Sequence, residues 1–494
     1  MNTKRNIKAM LAAFALLFVL LAAYLVYITD AYGPYWFASP YNTRVSKQKS
    51  LVTAGDMTDR NGVLLASTGA EGERSYSPNE ALRLATAHAV GDGTGMTLGA
   101  QALFSRYLLG FEQSVGERVQ TLFSKEKRRG CDVRLTLDAQ LCAFARALLG
   151  ENHGAIVVMN YKTGEVLAMT ASPAFDPAKM GGYSTGEYAL EDGSMVNRAT
   201  MGRYTPGSTF KLVTTIAALR YLPNAQSRTF TCAGPLMFDK KTGKLVSGVA
   251  EPLDENGNVK EGYALLRDFE DEVHGELTLM EAFAHSCNNT FARIALEIGP
   301  AKLVETAESL GVNGEYLFEE LVAYAGTMEA AKTDFELAWS GVGQHTDIMT
   351  PMQLCLIASA IANDGVMMEP KLLLSAVKPS GAEAATLESE AYQTLLKGNE
   401  AEYLQACMAL AVKSGTGKRA AVEGLTVCGK TGTAEVSSTG KYKPHAWFVG
   451  FVENEAYPYA VCVVVENGGG GGAVAAPIAG KLLERAAGLA QPLS

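Results

Sequence analysis

The 494-residue chain lacks any basic footprint: 43 Lys and Arg stand against 52 Asp and Glu, a formal charge of -9, and the basic residues are dispersed. Without a positive stripe to neutralise phosphates, nucleic acid is excluded as a partner. Cys131, Cys142, Cys232, Cys287, Cys355, Cys407, Cys428 and Cys462 stand singly, with no C-x-x-C pair and no histidine at zinc spacing. That pattern predicts no metal site and no disulfide framework, and the expectation is small buried hydrophobes. The run Gly468 to Gly472 lacks the Lys-Ser/Thr of a phosphate-binding loop, so it reads as a flexible connection; no cofactor is expected. The six histidines show no triad order, and no internal repeat is present.

What is present begins at the N-terminus. Lys4, Arg5 and Lys8 precede an unbroken apolar run from Ala9 to Ile28, long enough to span a bilayer as a helix at ~1.5 Å per residue. A cleaved signal peptide is the alternative, but the run exceeds the usual apolar core of one and Thr29-Asp30-Ala31 is a poor cleavage site. The reading is a single-pass anchor in the cell membrane; the flanking cations place the N-terminus in the cytoplasm and the chain from about Tyr32 onward outside. With 48% hydrophobic residues, the remainder can bury a large core and is too long for one typical domain.

Residues 32–150 form a first extracytoplasmic region, with the polar turn Asp59-Arg60-Asn61-Gly62 feeding the apolar run from Val63 to Ala66, and with a basic run, Lys125 to Arg129, that reads as a solvated loop. A helical pattern covers Leu135 to Leu149. A hairpin follows, Ala155 to Met159 and Glu165 to Thr170 about the turn Asn160 to Gly164. Helical periodicity covers Ser208 to Tyr221, Leu277 to Ile298, Ala301 to Leu310 and Thr350 to Asn363. Three strand-like runs, Leu425 to Val436, Ala446 to Val452 and Tyr459 to Val465, precede a last helix over Ala475 to Ala487. Strands at both ends with helices between predict an α+β fold around one mostly antiparallel sheet.

Five Ser-x-x-Lys matches occur, starting at Ser46, Ser124, Ser208, Ser375 and Ser438. Only Ser208 follows a Pro206-Gly207 helix start and precedes an apolar helix, where Lys211, three residues on, shares its face and can reach the hydroxyl as a base. Of three Lys-Thr-Gly matches, those at Lys162 and Lys241 lie in polar turns, whereas Lys430-Thr431-Gly432 sits inside an apolar strand whose Gly429 and Gly432 clear room for another backbone. Ser286-Cys287-Asn288 follows an amphipathic helix, while Ser77-Pro78-Asn79 is a plain turn.

These three motifs in this order are those of penicillin-binding proteins and class A β-lactamases. The chain resembles a class B penicillin-binding protein, a monofunctional peptidoglycan D,D-transpeptidase. The likeness extends to Asp59-Arg60-Asn61-Gly62, Leu135-Thr136-Leu137-Asp138, Pro173-Ala174-Phe175-Asp176-Pro177, Asn197-Arg198-Ala199 and Tyr204-Thr205-Pro206-Gly207. It departs at Gly341-Val342-Gly343-Gln344-His345, where relatives often have glycine in place of His345. The resemblance implies a serine transpeptidase/β-lactamase-like domain over 151–494, its antiparallel sheet flanked by helices, behind a smaller pedestal domain over 32–150 and a cytoplasmic tip and transmembrane helix over 1–31.

It also implies roles. Ser208 would be the nucleophile and Lys211 its base, kept neutral by burial and by the Lys430 cation. Ser286 and Lys430 would relay a proton to the leaving amine, and Asn288 would bind the peptide or Lys211. Backbone N–H groups of Ser208 and Thr433 would form the oxyanion hole, and Thr431, Gly432 and Thr433 would line the site for the substrate carboxylate. Implied partners are peptidoglycan stem peptides, β-lactams, a SEDS-type lipid II polymerase and other division or elongation proteins.

Rival readings are a penicillin-hydrolysing or penicillin-sensing relative, and a weakly catalytic scaffold for such a polymerase. A hydrolase elbow at Gly182-Tyr183-Ser184-Thr185-Gly186 is disfavoured because a loop rather than a strand leads into it.

Overall fold

The structure, a computed structural model, describes residues 3–39, 42, 45, 47, 49, 51–69, 72–111, 128–246, 254, 259–436 and 441–488. Ser46, Ser124 and Ser438, and Lys125 to Lys127 of the basic run, lie outside them. The chain opens with one helix, Thr3–Ala38, whose Asn6–Thr29 stretch has 24 residues and a mean hydropathy of 2.7, and none of that stretch is buried against the protein. It is long and apolar enough to cross a membrane, as the candidate N-terminal anchor would have to.

The core is a five-stranded sheet in the order Val427–Ala434, His445–Val452, Tyr459–Val465, Gly154–Asn160, Val166–Ser172, antiparallel throughout. Its interior strands are buried at almost every position, which requires helices on both faces and explains why they read as continuous apolar runs instead of alternating ones. The helix Ala475–Ala486 packs on the strands from 445 and 459 and, with Ala139–Leu149, forms one layer; the helix Pro351–Ala362, buried from Pro351 to Ile361, packs on the same strands and on the strand from 154. The expected α+β architecture is therefore present. Its sheet is closed by the two ends of a segment more than 300 residues long, and Val427–Ala434 is left as an edge.

A second sheet of six strands runs Glu383–Thr386, Leu373–Val377, Asp132–Leu135, Met57–Thr58, Leu64–Thr68, Arg74–Tyr76. It mixes strands from the first 135 residues with two that follow residue 372. The Asp59-Arg60-Asn61-Gly62 turn ties this sheet to the next element. The wholly buried Asp59 carboxylate accepts from the Asn61 and Val63 amides at 2.8 and 2.7 Å and from the Ala139 amide at 3.0 Å, and Arg60 pairs with Glu165 at 3.3 Å. These three N–H donors satisfy the buried carboxylate, which fixes the entry to the 139–149 helix.

Three elements differ from the sequence reading. The Leu135 to Leu149 pattern is a helix only from Ala139, because Asp138 caps it by accepting from the Leu141 amide while Leu135 ends a strand. Leu277 to Ile298 is two helices, Leu279–His285 and Asn288–Ile298, broken at Ser286 with φ +59°. The stretch from Met180 to Thr185 is a short helix, not a loop; no strand precedes Ser184, so no nucleophile elbow forms.

Candidate active site

Ser208 lies in a tight 3-10 turn, Gly207–Phe210, that runs straight into the helix Lys211–Tyr221. Gly207 is forced: its φ is +53°, and a Cβ there would lie 2.6 Å from the Thr433 carbonyl oxygen. From the opposite side, a Cβ on Gly432 would lie 2.9 Å from the Pro206 carbonyl oxygen. The serine turn and the Lys-Thr-Gly strand therefore abut backbone to backbone. The segment ahead of the turn is held by Trp447 Nε1, which donates to Thr205 O at 3.1 Å, and by Tyr204, whose hydroxyl donates to Glu466 at 2.7 Å while Arg198 donates to the same oxygen at 2.8 Å. Gly343, with φ +79°, accepts from the Gly207 amide at 2.8 Å, and His345 in the same loop takes φ +68°, a conformation that glycine adopts most readily.

The helix break at 286 is what presents Ser286 and Asn288. Thr278 opens the first helix with a capping box to Glu281, worth about 1 kcal/mol. Ser286 closes it in the left-handed region, an uncommon state for a residue with a Cβ, and Cys287 caps the next helix. Asn288 is fixed through Nδ2, which donates to Arg267 O at 2.8 Å, and through its amide, which donates to Asp268 Oδ1.

Two amines meet at this break. Lys211 Nζ donates to Ser286 O at 2.6 Å, Asn288 Oδ1 at 2.7 Å and Ser286 Oγ at 3.2 Å; Lys430 Nζ donates to the same Ser286 Oγ at 2.9 Å and to Thr431 O at 3.0 Å. Both lysines are fully buried, over the rings of Phe291 and Phe283, and neither forms a salt bridge with a carboxylate among the described residues. Burial lowers Lys211 to about 8, against the pull of Asp268 and Cys287, while burial and then the Lys211 charge drive Lys430 well below its ordinary value. Both amines are thus driven toward the neutral form, by burial first and, at Lys430, then by the charge of the neighbouring Lys211. One hydroxyl bridging two amines that cannot both be charged is a proton relay in form.

The expected Ser208–Lys211 hydrogen bond is absent. Lys211 is turned to Ser286 and Asn288, and the Ser208 hydroxyl has no partner among the described residues. Thr431 Oγ1 pairs with Thr416 Oγ1 at 2.7 Å, and Thr433 Oγ1 accepts from the Gly471 amide at 3.2 Å. Neither Thr416 nor Gly471 was singled out from sequence. The glycine run is no loose connection either, for Gly472 sits so close to Thr416 O that a Cβ would lie 2.7 Å from it. Ser375 falls on the second sheet, away from these groups, and Lys162 and Lys241 lie in turns outside it. Among groups that could hold a metal, Cys232, Asp268, His274 and Cys287 converge beside Asn288.

An antiparallel sheet whose edge strand abuts a serine turn, with buried lysines behind, is the architecture of the serine transpeptidase and β-lactamase class. Residues 154–232 and 237–484 match the penicillin binding protein transpeptidase domain, and the chain belongs to that family, as a class B member. It is similar to the peptidoglycan D,D-transpeptidase PbpA of Mycolicibacterium smegmatis, with 29% identity over 475 residues, covering 89% of this chain and 90% of the relative. It also resembles stage V sporulation protein D of Bacillus subtilis, 29% identical over 382 residues, 72% of this chain and 53% of that one. Among solved structures, the ceftriaxone acyl-enzyme of penicillin-binding protein A from M. tuberculosis superposes with a TM-score of 0.76 at 26% identity, covering 89% of this chain and 99% of that one. The D,D-transpeptidase domain from Eggerthella lenta gives 0.72 at 27% identity, covering 89% and 100%.

Proposed function

We propose that this protein is a membrane-anchored D,D-transpeptidase that cross-links peptidoglycan stem peptides through an acyl-enzyme on Ser208 and is acylated there by penicillin. The observation that carries the reading is the pair of buried amines sharing the Ser286 hydroxyl, set behind a serine turn that touches the Lys-Thr-Gly strand.

In this reading Ser208 Oγ attacks the carbonyl carbon of the penultimate D-alanine and loses its proton to Lys211, which turns from Ser286 toward it. The oxyanion is held by the backbone N–H groups of Ser208 and Thr433. When the C–N bond breaks, the proton taken up by Lys211 passes through the Ser286 hydroxyl, which Lys430 also touches, to the leaving amine; the terminal D-alanine departs and Lys211 is neutral again. Thr431, Gly432 and Thr433, on the sheet's free edge, receive the substrate as an added strand, with the threonine hydroxyls toward its carboxylate. An amine of a second stem peptide then attacks the ester carbonyl carbon, Lys211 takes the amine's proton and returns it to Ser208 Oγ as the ester C–O bond breaks, and the Ser208 hydroxyl and neutral Lys211 are restored. A β-lactam follows the first half of this path.

The division in this reading is 1–31 as tip and anchor, 32–150 as a pedestal and 151–494 as the transpeptidase domain, with the strands Leu373–Val377 and Glu383–Thr386 of the latter joining the pedestal's sheet and the Ala139–Leu149 helix packing on the core sheet. The N-terminus is cytoplasmic, by the Lys4, Arg5 and Lys8 flank, and the catalytic domain extracytoplasmic. A SEDS-type lipid II polymerase and other division or elongation proteins are the partners this arrangement would serve.

The test is incubation of the detergent-solubilised full chain with a labelled penicillin. A stable adduct on Ser208, lost in Ser208→Ala, is expected; no adduct, or one on another residue, rejects the reading, and rapid turnover of the adduct would make the protein a β-lactamase.

A further inference from the structure

We propose that Arg74 and Lys49 bind a phosphate group in a cavity between the end of the Thr3–Ala38 helix and the edge of the six-stranded sheet. The cavity has a volume of about 130 Å3 and is walled by Ala38, where the helix ends, by Val52 and by Leu108. Arg74 enters it from the edge strand Arg74–Tyr76, and Lys49 from the chain that follows the helix. None of these residues belongs to the transpeptidase site, and the proposal does not rest on that reading.

The Arg74 guanidinium carries the inference. Its Nε donates to Gln101 Oε1 at 2.9 Å, and its Nη1 donates to Gly55 O at 2.7 Å and to Thr68 Oγ1 at 2.9 Å. These three bonds fix the plane of the group, yet Nη2 is buried and has no partner among the described residues. No described carboxylate pairs with it either: Asp56 and Asp132, whose charges it feels, are each bound to Arg129 at 2.9 Å. A second cation stands beside it. Lys49 Nζ donates to Gly93 O at 2.8 Å, and Gly93 lies so close to the arginine stem that a Cβ there would be 3.3 Å from Arg74 Cβ. Lost hydration lowers Lys49 against the pull of Asp92, and the Arg74 charge lowers it further, so the two cations act on one another.

The carboxylate of the cavity does not answer them. Asp92, the one acid among the described lining residues, is turned into its own loop: Oδ1 accepts from the Thr94 and Gly95 amides at 2.7 and 2.9 Å, and Oδ2 from the Thr97 amide and hydroxyl at 2.7 and 2.6 Å. Lys49, Arg74 and Asp92 together leave one positive charge, which a phosphate carrying one negative charge neutralises. Water satisfies the Nη2 hydrogens but leaves the charge; a phosphate oxygen answers both, and charge-assisted bonds to it are the stronger ones. Its tetrahedral oxygens also reach Nη2 and Nζ from one centre. At about 30 Å3 per water the cavity has room for about four, a bulk that one phosphate replaces. Ala38 lies a rise of about 13 Å past Thr29, where the apolar stretch ends, and a headgroup layer takes roughly 5–8 Å of that. With the helix as an anchor, the cavity stands beside the outer face of the membrane, within reach of a phospholipid headgroup as well as of soluble phosphate.

The test is calorimetric titration of the full chain, in a non-ionic detergent and phosphate-free buffer, with inorganic phosphate and separately with dihexanoyl phosphatidylglycerol. Saturable binding of at least one probe, one per chain with a Kd below about 1 mM, is expected. Binding of inorganic phosphate assigns the site to soluble phosphate; binding of the lipid alone assigns it to the headgroup. Affinity should fall at least tenfold in Lys49→Gln and in Arg74→Gln and stay unchanged in Lys162→Gln, in the turn after Asn160. If Arg74→Gln does not fold, Lys49→Gln decides, because Lys49 is a largely exposed residue whose loss leaves the packing intact. No saturable binding of either probe by the folded chain, or equal affinity in Lys49→Gln and the unaltered protein, overturns the site. Labelled-penicillin acylation of the same samples reports on the transpeptidase reading separately.

Discussion

Replacing Gly207 by alanine would place a methyl group in the narrowest contact of the site. At φ +53° the new Cβ stands 2.6 Å from the Thr433 carbonyl oxygen and 3.0 Å from Ala434 Cα. Holding a residue with a Cβ in the left-handed region costs about 1–2 kcal/mol. Relieving the collision requires the turn and the strand to part by about 0.8 Å, to reach an ordinary contact near 3.4 Å. That displacement separates Ser208 from the Thr433 amide, and misplacing reacting groups by about 1 Å costs on the order of 100-fold in rate. Gly150→Ala is the control: its φ is +59°, so the backbone cost is equal, yet a Cβ there meets nothing within 4 Å. Both variants should lose about 1–2 kcal/mol of stability in thermal or urea unfolding. Only Gly207→Ala should lose acylation, by about 100-fold in the second-order rate constant measured by stopped flow with a fluorescent penicillin. Equal acylation in the two variants would refute the idea that this backbone contact sets the reacting geometry.

Two more expectations follow from the site and its support. Because burial lowers Lys211 to about 8 and only its neutral form can take the serine proton, the acylation rate should rise with pH through about 8 and fall tenfold per unit below it; a flat profile from pH 6.5 to 9.5 would remove Lys211 as base. Glu466→Gln strips the anion from Arg198 and from the Tyr204 hydroxyl, both mostly buried, and should cost about 2–3 kcal/mol in urea unfolding, a loss under 0.5 kcal/mol counting against the network.

What could be read from the chain depended on whether the physics was local. Ser208 with Lys211, the Lys430 strand and the apolar sheet runs announce themselves within a dozen residues, and the structure brings them together. The break at Ser286 was hidden because Leu277 to Ile298 keeps a helical pattern across it; the interruption is a single left-handed residue stabilised by contacts from elsewhere. The direction of the Lys211 amine was hidden for a similar reason, since Asn288 and Ser286 offer three acceptors that the helical spacing to Ser208 does not reveal. Cys232 and Cys287 looked isolated because a spacing rule sees only neighbours in sequence, whereas Asp268 and His274 reach them through paired strands and a helix cap. Likewise nothing near Leu373 signals that its strand completes a sheet begun at Met57.

The sheet order carries a consequence for biosynthesis. Gly154–Asn160 and Val166–Ser172 emerge early from the ribosome, but the edge strand Val427–Ala434 and the partner Tyr459–Val465 follow roughly 250 to 300 residues later, a separation that makes such pairing slow. Until that late segment arrives, Ser208 has no Thr433 amide beside it and Lys430 does not exist. On the proposed mechanism Ser208 is therefore inert throughout synthesis, and its reactivity switches on only when the last strands close over the first.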